Sequence, residues 1–282
     1  MAGFTVTGMA TLPNPLPKLA TDPSGRSLGL RLPPGRLVDE TDDGPWHEPL
    51  LWHAEKPSSP GTWKALGAPA ARAGLLPVLV DLAGCRAGVE DWVLLPGEAS
   101  YPGDHEAEDV LSEYWVEETD GHVSEEIEPF GTQWPGLASA GLLAADPESR
   151  AAQVADALHQ DLSTWAEWIE EPHLALVPAR RSADIPAAIG WTGTLDHDGD
   201  VARICAVLRS WEDRFGVRVV ALGPDALVVS VAAPPTALDD AEVLAAEHYA
   251  VCPNSVVQSG PGSVGAYAKE LVGATSWSFW WE

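Results

Sequence analysis

The order of secondary-structure signals from residue 173 to the C-terminus restricts the fold more than any other feature of this chain. Strand and helix patterns follow one another as strand, helix, strand, strand, helix, strand. The predicted elements are a strand at 173–178, a helix at 200–215, strands at 217–222 and 226–231, a helix at 236–251, a short helix at 264–272 and a strand at 275–281. A Gly-Pro-Asp turn joins the two middle strands and predicts a hairpin.

This order is that of a ferredoxin-like α+β sandwich (split βαβ, β-α-β-β-α-β), in which one sheet carries its helices on one face. We therefore expect an antiparallel-rich sheet with the 200–215 and 236–252 helices on a single face. Asp200 is placed to cap the first helix, and Trp211 lies in the middle of its apolar stripe. In the last strand, alternation puts Trp277, Phe279 and Trp281 on one face.

The N-terminal half is rich in Pro and Gly and is predicted to be a loop-rich region of short strands. Candidate strands lie at 27–32, 49–53, 75–80 and 92–95. Pro77 lacks an amide donor, so its strand is expected to lie at an edge of the sheet or to begin there. With roughly 150 residues per domain, the chain divides into a region at 1–145, a connecting helix at 146–172 capped by Asp146, and an α+β domain at 173–282.

Charge limits the functions open to this protein. The 282 residues include 42 Asp and Glu against 16 Lys and Arg, a formal net charge of −26. A field of that sign repels nucleic acids and anionic lipids, and no apolar run approaches the ~20 residues of a membrane span. It attracts a basic protein partner, although solubility in a salt-tolerant cytoplasm explains the same charge.

The acidic residues are concentrated at 98–128, where twelve occur without a Lys or Arg. Within that segment, apolar residues at helical spacing predict a short amphipathic helix with one anionic face. The candidate partner-binding residues are Glu106, Glu108, Asp109, Glu113, Glu117 and Glu118.

Four ordered blocks in the C-terminal part resemble a known bacterial family. They are Arg209-Ser-Trp-Glu-Asp-Arg-Phe-Gly216, Ser230-Val-Ala-Ala-Pro-Pro235, Ala246-Glu-His-Tyr-Ala-Val-Cys-Pro253 and Gly273-Ala-Thr-Ser-Trp-Ser-Phe-Trp-Trp281. Together they are similar to the family described as domain of unknown function 4253, over about residues 173–282. The resemblance implies an actinobacterial type of source, and it supplies no activity.

Two constellations are candidates for chemistry. His248 and Cys252, four residues apart and next to Glu247, share one helix face, which a thiolate nucleophile requires and which core packing explains equally well. Asp196, Asp198 and Asp200 form an oxygen-rich loop whose spacing fails the EF-hand pattern and also suits a polar turn. No motif implies a cofactor, and we assign neither a metal nor a catalytic residue at this stage.

Two hypotheses remain. In the first, the protein is a non-enzymatic interaction module that meets a basic partner, as an antidote or immunity protein meets a cationic toxin. In the second, it is a small enzyme that uses His248 and Cys252. The three widely spaced cysteines and the lack of a signal-like N-terminus lead us to expect a reduced, cytoplasmic protein.

Overall fold

The computed structural model of the chain describes residues 13–86, 88–159 and 169–282. The β-strands are β1 (Gly35–Val38), β2 (Glu40–Thr41), β3 (Gly44–Pro45), β4 (Leu51–Ala54), β5 (Leu76–Asp81), β6 (Pro172–Val177), β7 (Arg218–Leu222), β8 (Ala226–Ser230) and β9 (Ser276–Trp280). The α-helices are α1 (Pro17–Thr21), α2 (Thr62–Arg72), α3 (Ala107–Thr119), α4 (Pro147–Ala157), α5 (Ile185–Ile189), α6 (Val201–Phe215), α7 (Leu238–Val251), α8 (Pro253–Val257) and α9 (Val264–Leu271). Short 3-10 turns lie at Arg26–Leu28, Val89–Asp91, Pro102–Asp104, Glu125–Ile127 and Ser182–Asp184.

A mixed seven-stranded sheet is the centre of the fold. Its strand order is β1-β4-β6-β5-β7-β8-β9, and β2 and β3 form a separate two-stranded ladder. Neighbouring strands are antiparallel, except that β5 and β7 run parallel. The mixed α+β class predicted from the sequence is therefore confirmed.

Apolar cores lie on both faces of this sheet. Along β5, Val78 and Val80 face one core, which holds Trp211 of α6 and Tyr249 of α7. Leu79 faces the other core, together with side chains of α2 and α4. The 200–215 and 236–252 helices therefore share one face, as predicted. The expectation that the sheet carries its helices on a single face is wrong, because α2 of the N-terminal region and α4 of the connecting segment pack on the opposite face.

The predicted ferredoxin-like arrangement is not confirmed. β5 comes from the N-terminal half and lies between β6 and β7, so the four C-terminal strands do not make a sheet of their own. β5 pairs with β6 along its whole length, from Leu76 opposite Val177 to Asp81 opposite Pro172. The order of elements along the chain does not determine which strands pair, because a strand that is distant in sequence can insert between two predicted strands.

Most predicted elements of the C-terminal part occur within two residues of their expected bounds, whereas two N-terminal strands do not occur. The 27–32 segment contains only the 3-10 turn at Arg26–Leu28. The 92–95 segment forms a single bridge between Leu94 and Trp191. Pro77 lies at the start of β5, where β6 is paired with it and β7 is not, as its missing amide donor requires.

The connecting helix begins as predicted. The Asp146 carboxylate accepts a hydrogen bond from the Ser149 amide at 2.9 Å, and this cap opens α4. The sequence predicts that this helix continues to residue 172, but α4 ends at Ala157, and Leu158 and His159 form a turn. The predicted positions Leu162 and Trp165 lie at 160–168, outside the described residues. None of the described helices combines the length and the hydropathy that a bilayer crossing requires.

Candidate functional site: the acidic face of α3

The acidic segment folds as α3, which packs on α6 and α7. Val110, Leu111, Tyr114 and Trp115 are buried in the core, as the helical spacing predicted. The outward face carries carboxylates, and we call this surface the acidic face. Its predicted members are the exposed Glu106, Glu108, Asp109, Glu113 and Glu117 and the partly buried Glu118.

Two of these carboxylates have partners within the chain. An Arg203 Nη2 N–H donates to Glu113 Oε2 at 2.5 Å, and Glu118 Oε1 lies 3.4 Å from the His197 Nδ1 atom. Both partners lie beyond residue 196, so they tie α3 to the loop before α6 and to α6 itself. Glu113 and Glu118 therefore help to hold α3 against α6 and the loop before it.

The other four carboxylates lack such anchors. Among the described residues, Glu106, Glu108, Asp109 and Glu117 have no Lys, Arg or His nitrogen within ion-pair distance. The charge that these residues bring to the surface is therefore not compensated by a neighbouring cation of the described chain.

The loop predicted as a weak metal candidate packs against α3. Asp198 Oδ2 accepts the Tyr114 hydroxyl hydrogen at 2.5 Å and lies 3.0 Å from Arg203 Nη1. Asp200 caps α6 by accepting the Ala202 amide at 3.0 Å, and it also accepts the Ser100 amide. Asp196 is exposed.

Hydrogen bonds thus occupy Asp198 and Asp200. Burial alone raises the pKa of Asp200, but hydrogen bonds from Ser100 and Ala202 bring that pKa below its usual value. Within the described residues, no group of three or more His, Cys, Asp and Glu side chains is placed to hold a metal ion. The polar-turn interpretation accounts for the loop.

A cavity of about 430 Å³ opens beside this loop, and we call it the acidic cavity. Its charged lining residues are Asp43, Glu98 and Asp198. Thr194 also lines it; this side chain is 1% exposed, and its hydroxyl has no hydrogen-bond partner. Sequence reasoning missed this cavity, because its three carboxylates come from segments more than 50 residues apart.

His248 and Cys252 do not form an activated pair. His248 is fully buried among the rings of Trp211, Trp277 and Phe279, with centroid separations of 4.6–4.9 Å. Burial, reinforced by the charge of Arg214, lowers the pKa of His248 to about 3. The imidazole is therefore neutral at physiological pH.

The thiol of Cys252 is equally enclosed. It donates to the Trp280 carbonyl at 2.9 Å and lies 3.1 Å from the Ser255 hydroxyl. Burial raises its pKa to about 11, whereas a nucleophilic cysteine needs a lowered pKa and access to substrate. The geometry favours the core-packing interpretation of the pair.

Comparison with protein families bears on this C-terminal part. Residues 173–282 match the model of a family described as a domain of unknown function, DUF4253. This segment, less than half of the chain, is similar to that family. The match confirms the resemblance read from the four sequence blocks. No curated protein and no solved structure matches the chain.

The segment that matches DUF4253 contains a buried ion pair that sequence reasoning did not assign. Glu247 on α7 is fully buried, and its two oxygens accept from Arg214 Nη1 and Nη2 at 2.7 and 2.6 Å. The same carboxylate accepts the Trp211 indole N–H and the Ala138 amide, each at 2.7 Å. Trp211 and Arg214 lie in the block Arg209–Gly216, and Glu247 lies in the block Ala246–Pro253. Their place in these blocks was the only indication of the network in the sequence.

This network has a structural role. It joins α6, α7 and the segment around Ala138, and every oxygen of Glu247 has hydrogen-bond donors. The carboxylate faces no cavity described above. In the matched segment, β5 from outside the matched residues lies between β6 and β7, so the sheet includes a strand of the N-terminal half.

Proposed function

We propose that this protein is a non-enzymatic interaction module that binds a basic protein partner through the acidic face of α3. The observation that carries the proposal is the set of exposed carboxylates at Glu106, Glu108, Asp109 and Glu117 that no cation of the described chain neutralises. An antidote-like or immunity-like protein that meets a cationic partner has the same requirement.

The use of arginine supports this proposal. Several arginines are held in ion pairs within the chain, namely Arg181, Arg203, Arg209, Arg214 and Arg218. The net charge of −26 is therefore concentrated on surfaces such as α3. Repulsion between exposed carboxylates opposes the compact fold, and a basic partner relieves it while also gaining a faster encounter.

The acidic cavity adds a place for one cationic side chain of the partner. Asp43 and Glu98 at its mouth are exposed, whereas Asp198 is already paired with Arg203. Its volume of about 430 Å³ accommodates a lysine or arginine side chain. The unpartnered Thr194 hydroxyl inside it supplies an acceptor for an ammonium or guanidinium N–H.

A reducing compartment fits the cysteine chemistry of the proposal. Cys85, Cys205 and Cys252 are free, and burial raises the pKa of both Cys205 and Cys252. Free, unpaired cysteines are usual for cytoplasmic proteins, so we propose a cytoplasmic location as well.

The test uses a triple variant, Glu108→Gln, Asp109→Asn and Glu117→Gln, which removes three charges and keeps side-chain size. Proteins that co-purify with the wild type at low salt are identified, and association of the purified partner is measured by stopped-flow at several salt concentrations. We expect the variant to associate about tenfold more slowly and to show a flatter salt dependence, since facing charges set the rate of encounter.

A second triple variant supplies the control. Glu55→Gln, Glu170→Gln and Glu270→Gln change the net charge equally, at exposed positions outside α3. This variant should associate at nearly the wild-type rate. If both triple variants slow association equally, only total charge matters; if neither does, the acidic face is not the binding surface. Either result contradicts the proposal.

A further inference from the structure

A second cavity, larger than the acidic cavity, has mainly arginines as its charged lining residues. It has a volume of about 710 Å³ and lies where the chain leaves β6, between α5, α6 and the segment 96–102. Its charged lining residues, among those described, are Arg180, Arg181, Arg209 and Asp184. Three guanidinium groups and one carboxylate thus line the cavity, while Glu212 and Asp213, which pair with Arg181, lie outside the lining. We call this cavity the arginine cavity.

Arg209 is held rigidly at this cavity. Its Nε and Nη2 donate to the two oxygens of Asp184 at 2.5 and 3.0 Å. Its guanidinium also lies over the Tyr101 ring, 5.2 Å from the centroid. Because a guanidinium has five N–H donors, N–H groups remain for a further acceptor after the two that bind Asp184 and the hydrogen bond with the Tyr101 side chain.

Arg181 is fixed from the other side. Its Nη2 donates to Asp213 Oδ1 at 2.5 Å and to the Arg209 backbone carbonyl at 3.3 Å. Arg180 is exposed and lies three residues after Val177, the last residue of β6. Two restrained arginines and one exposed arginine thus converge on one volume.

The rest of the lining is mostly apolar. Four prolines and four alanines contribute to it, together with Gly74, Ser100 and the ring of Tyr101. The prolines and alanines are Pro13, Pro96, Pro102, Pro178, Ala99, Ala179, Ala187 and Ala188. The volume falls within the range of about 300–1,000 Å³ that is typical of small-molecule sites, and such sites combine apolar walls with a few convergent polar groups.

We propose that the arginine cavity binds a small organic anion, with a phosphate or carboxylate head on the arginines and an apolar body against Tyr101 and the prolines. Guanidinium groups recognise both heads through paired, charge-assisted hydrogen bonds. The long-range field of the acidic surface disfavours such an anion, but salt screens that field beyond about 8 Å, whereas contacts within the cavity are short. This site is independent of the acidic face of α3.

The test is a titration of the full-length chain followed by proton NMR of the ligand. The probes are phenyl phosphate, benzoate, inorganic phosphate and benzyl alcohol. We expect phenyl phosphate or benzoate, or both, to bind more tightly than inorganic phosphate and benzyl alcohol, and the comparison of the two identifies the preferred head. Equal binding of inorganic phosphate and the aromatic anions would overturn the apolar part of the site, and no binding of either aromatic anion would overturn the proposal.

Matched variants locate the binding. Arg180→Glu should weaken binding of the preferred aromatic anion at least about tenfold, because it replaces an attractive charge by a repulsive one. Arg31→Glu makes the same charge change at an exposed arginine that does not line the cavity, and it should leave binding unchanged. Arg209→Lys keeps the charge but loses the planar fork, so it should weaken binding while the melting temperature reports that the fold persists. Equal effects of the Arg180 and Arg31 changes would place the anion elsewhere.

Discussion

Removal of the Glu247 carboxylate should destabilise the protein more than any surface change. In Glu247→Ala, two N–H donors of Arg214, the indole N–H of Trp211 and the amide of Ala138 lose their common acceptor. Arg214 is only 14% exposed, so its charge would be left largely out of water. Breaking a buried pair from one side costs about 3–5 kcal/mol, which is a large fraction of the ~5–15 kcal/mol that stabilises a typical protein.

A double variant separates the ion pair from the packing. In Glu247→Leu with Arg214→Met, both charges are replaced by apolar groups, and no unpaired charge is left in the core. We expect this variant to lose about 1–3 kcal/mol, because the Trp211 and Ala138 N–H donors lose their acceptor, and the Ala138 carbonyl and the Ser210 hydroxyl lose the Arg214 donor. The single changes should therefore be non-additive by about 2 kcal/mol or more.

The free energy of unfolding is measured by guanidinium titration with tryptophan fluorescence, and the slope is checked for two-state behaviour. The exposed ion pair between Glu148 and Arg218 serves as the control, since the Glu148 side chain is 65% exposed. Changing Glu148 to Gln should lower the free energy of unfolding by less than about 1 kcal/mol. A loss below about 1 kcal/mol in Glu247→Ala, or additive single changes, would refute the argument that the buried pair holds α6 and α7 together.

Three further results are expected. Trp211→Ala should cost about 3–5 kcal/mol in the same titration, since Trp211 is fully buried; a loss under about 1 kcal/mol would contradict its place in the core. The pKa of His248 is lowered to about 3 in the folded state, whereas an unfolded histidine has a pKa near 6.5. The contribution of His248 to the free energy of unfolding is therefore fully present above pH 6.5 and is lost as the pH falls from 6.5 towards 3. Acidification from pH 7 to pH 5 should therefore lower the free energy of unfolding by about 2 kcal/mol through this group. The His248→Phe variant should not show this loss, whereas His122→Gln should. Identical pH profiles of the two variants would disprove the linkage. In native thiol labelling at neutral pH, Cys252 should stay unlabelled and partly exposed Cys85 should react first; rapid labelling of Cys252 would revive the Cys/His enzyme hypothesis.

Local patterns predicted the elements of the C-terminal part well. The cap at Asp200, the apolar stripe through Trp211 and the alternation of Trp277, Phe279 and Trp281 each reflect interactions within a few residues. The amphipathic pattern of α3 likewise placed its buried and charged faces correctly. Such features depend on backbone period and capping, and the sequence states both directly.

The strand pairing was not open to the same reasoning. β5 carries apolar side chains on successive positions from Val78 to Val80, which suits a strand buried on both faces. Nothing local says that its neighbours are β6 and β7, because those hydrogen bonds join residues about 95 and 140 positions apart. The ferredoxin-like interpretation failed at this point.

Sequence patterns alone therefore predicted the C-terminal elements, their buried faces, the acidic charge and the resemblance of residues 173–282 to the DUF4253 family. Tertiary structure alone decided which carboxylates are neutralised, as with Glu113 by Arg203, and which remain exposed, as with Glu117. It also brought Arg180, Arg181 and Arg209 to one cavity and enclosed Glu247 with Arg214. The physical reason is range: helix period and caps act over one or two turns, whereas the partner of a charge is whatever the packed chain brings within a few ångströms of it.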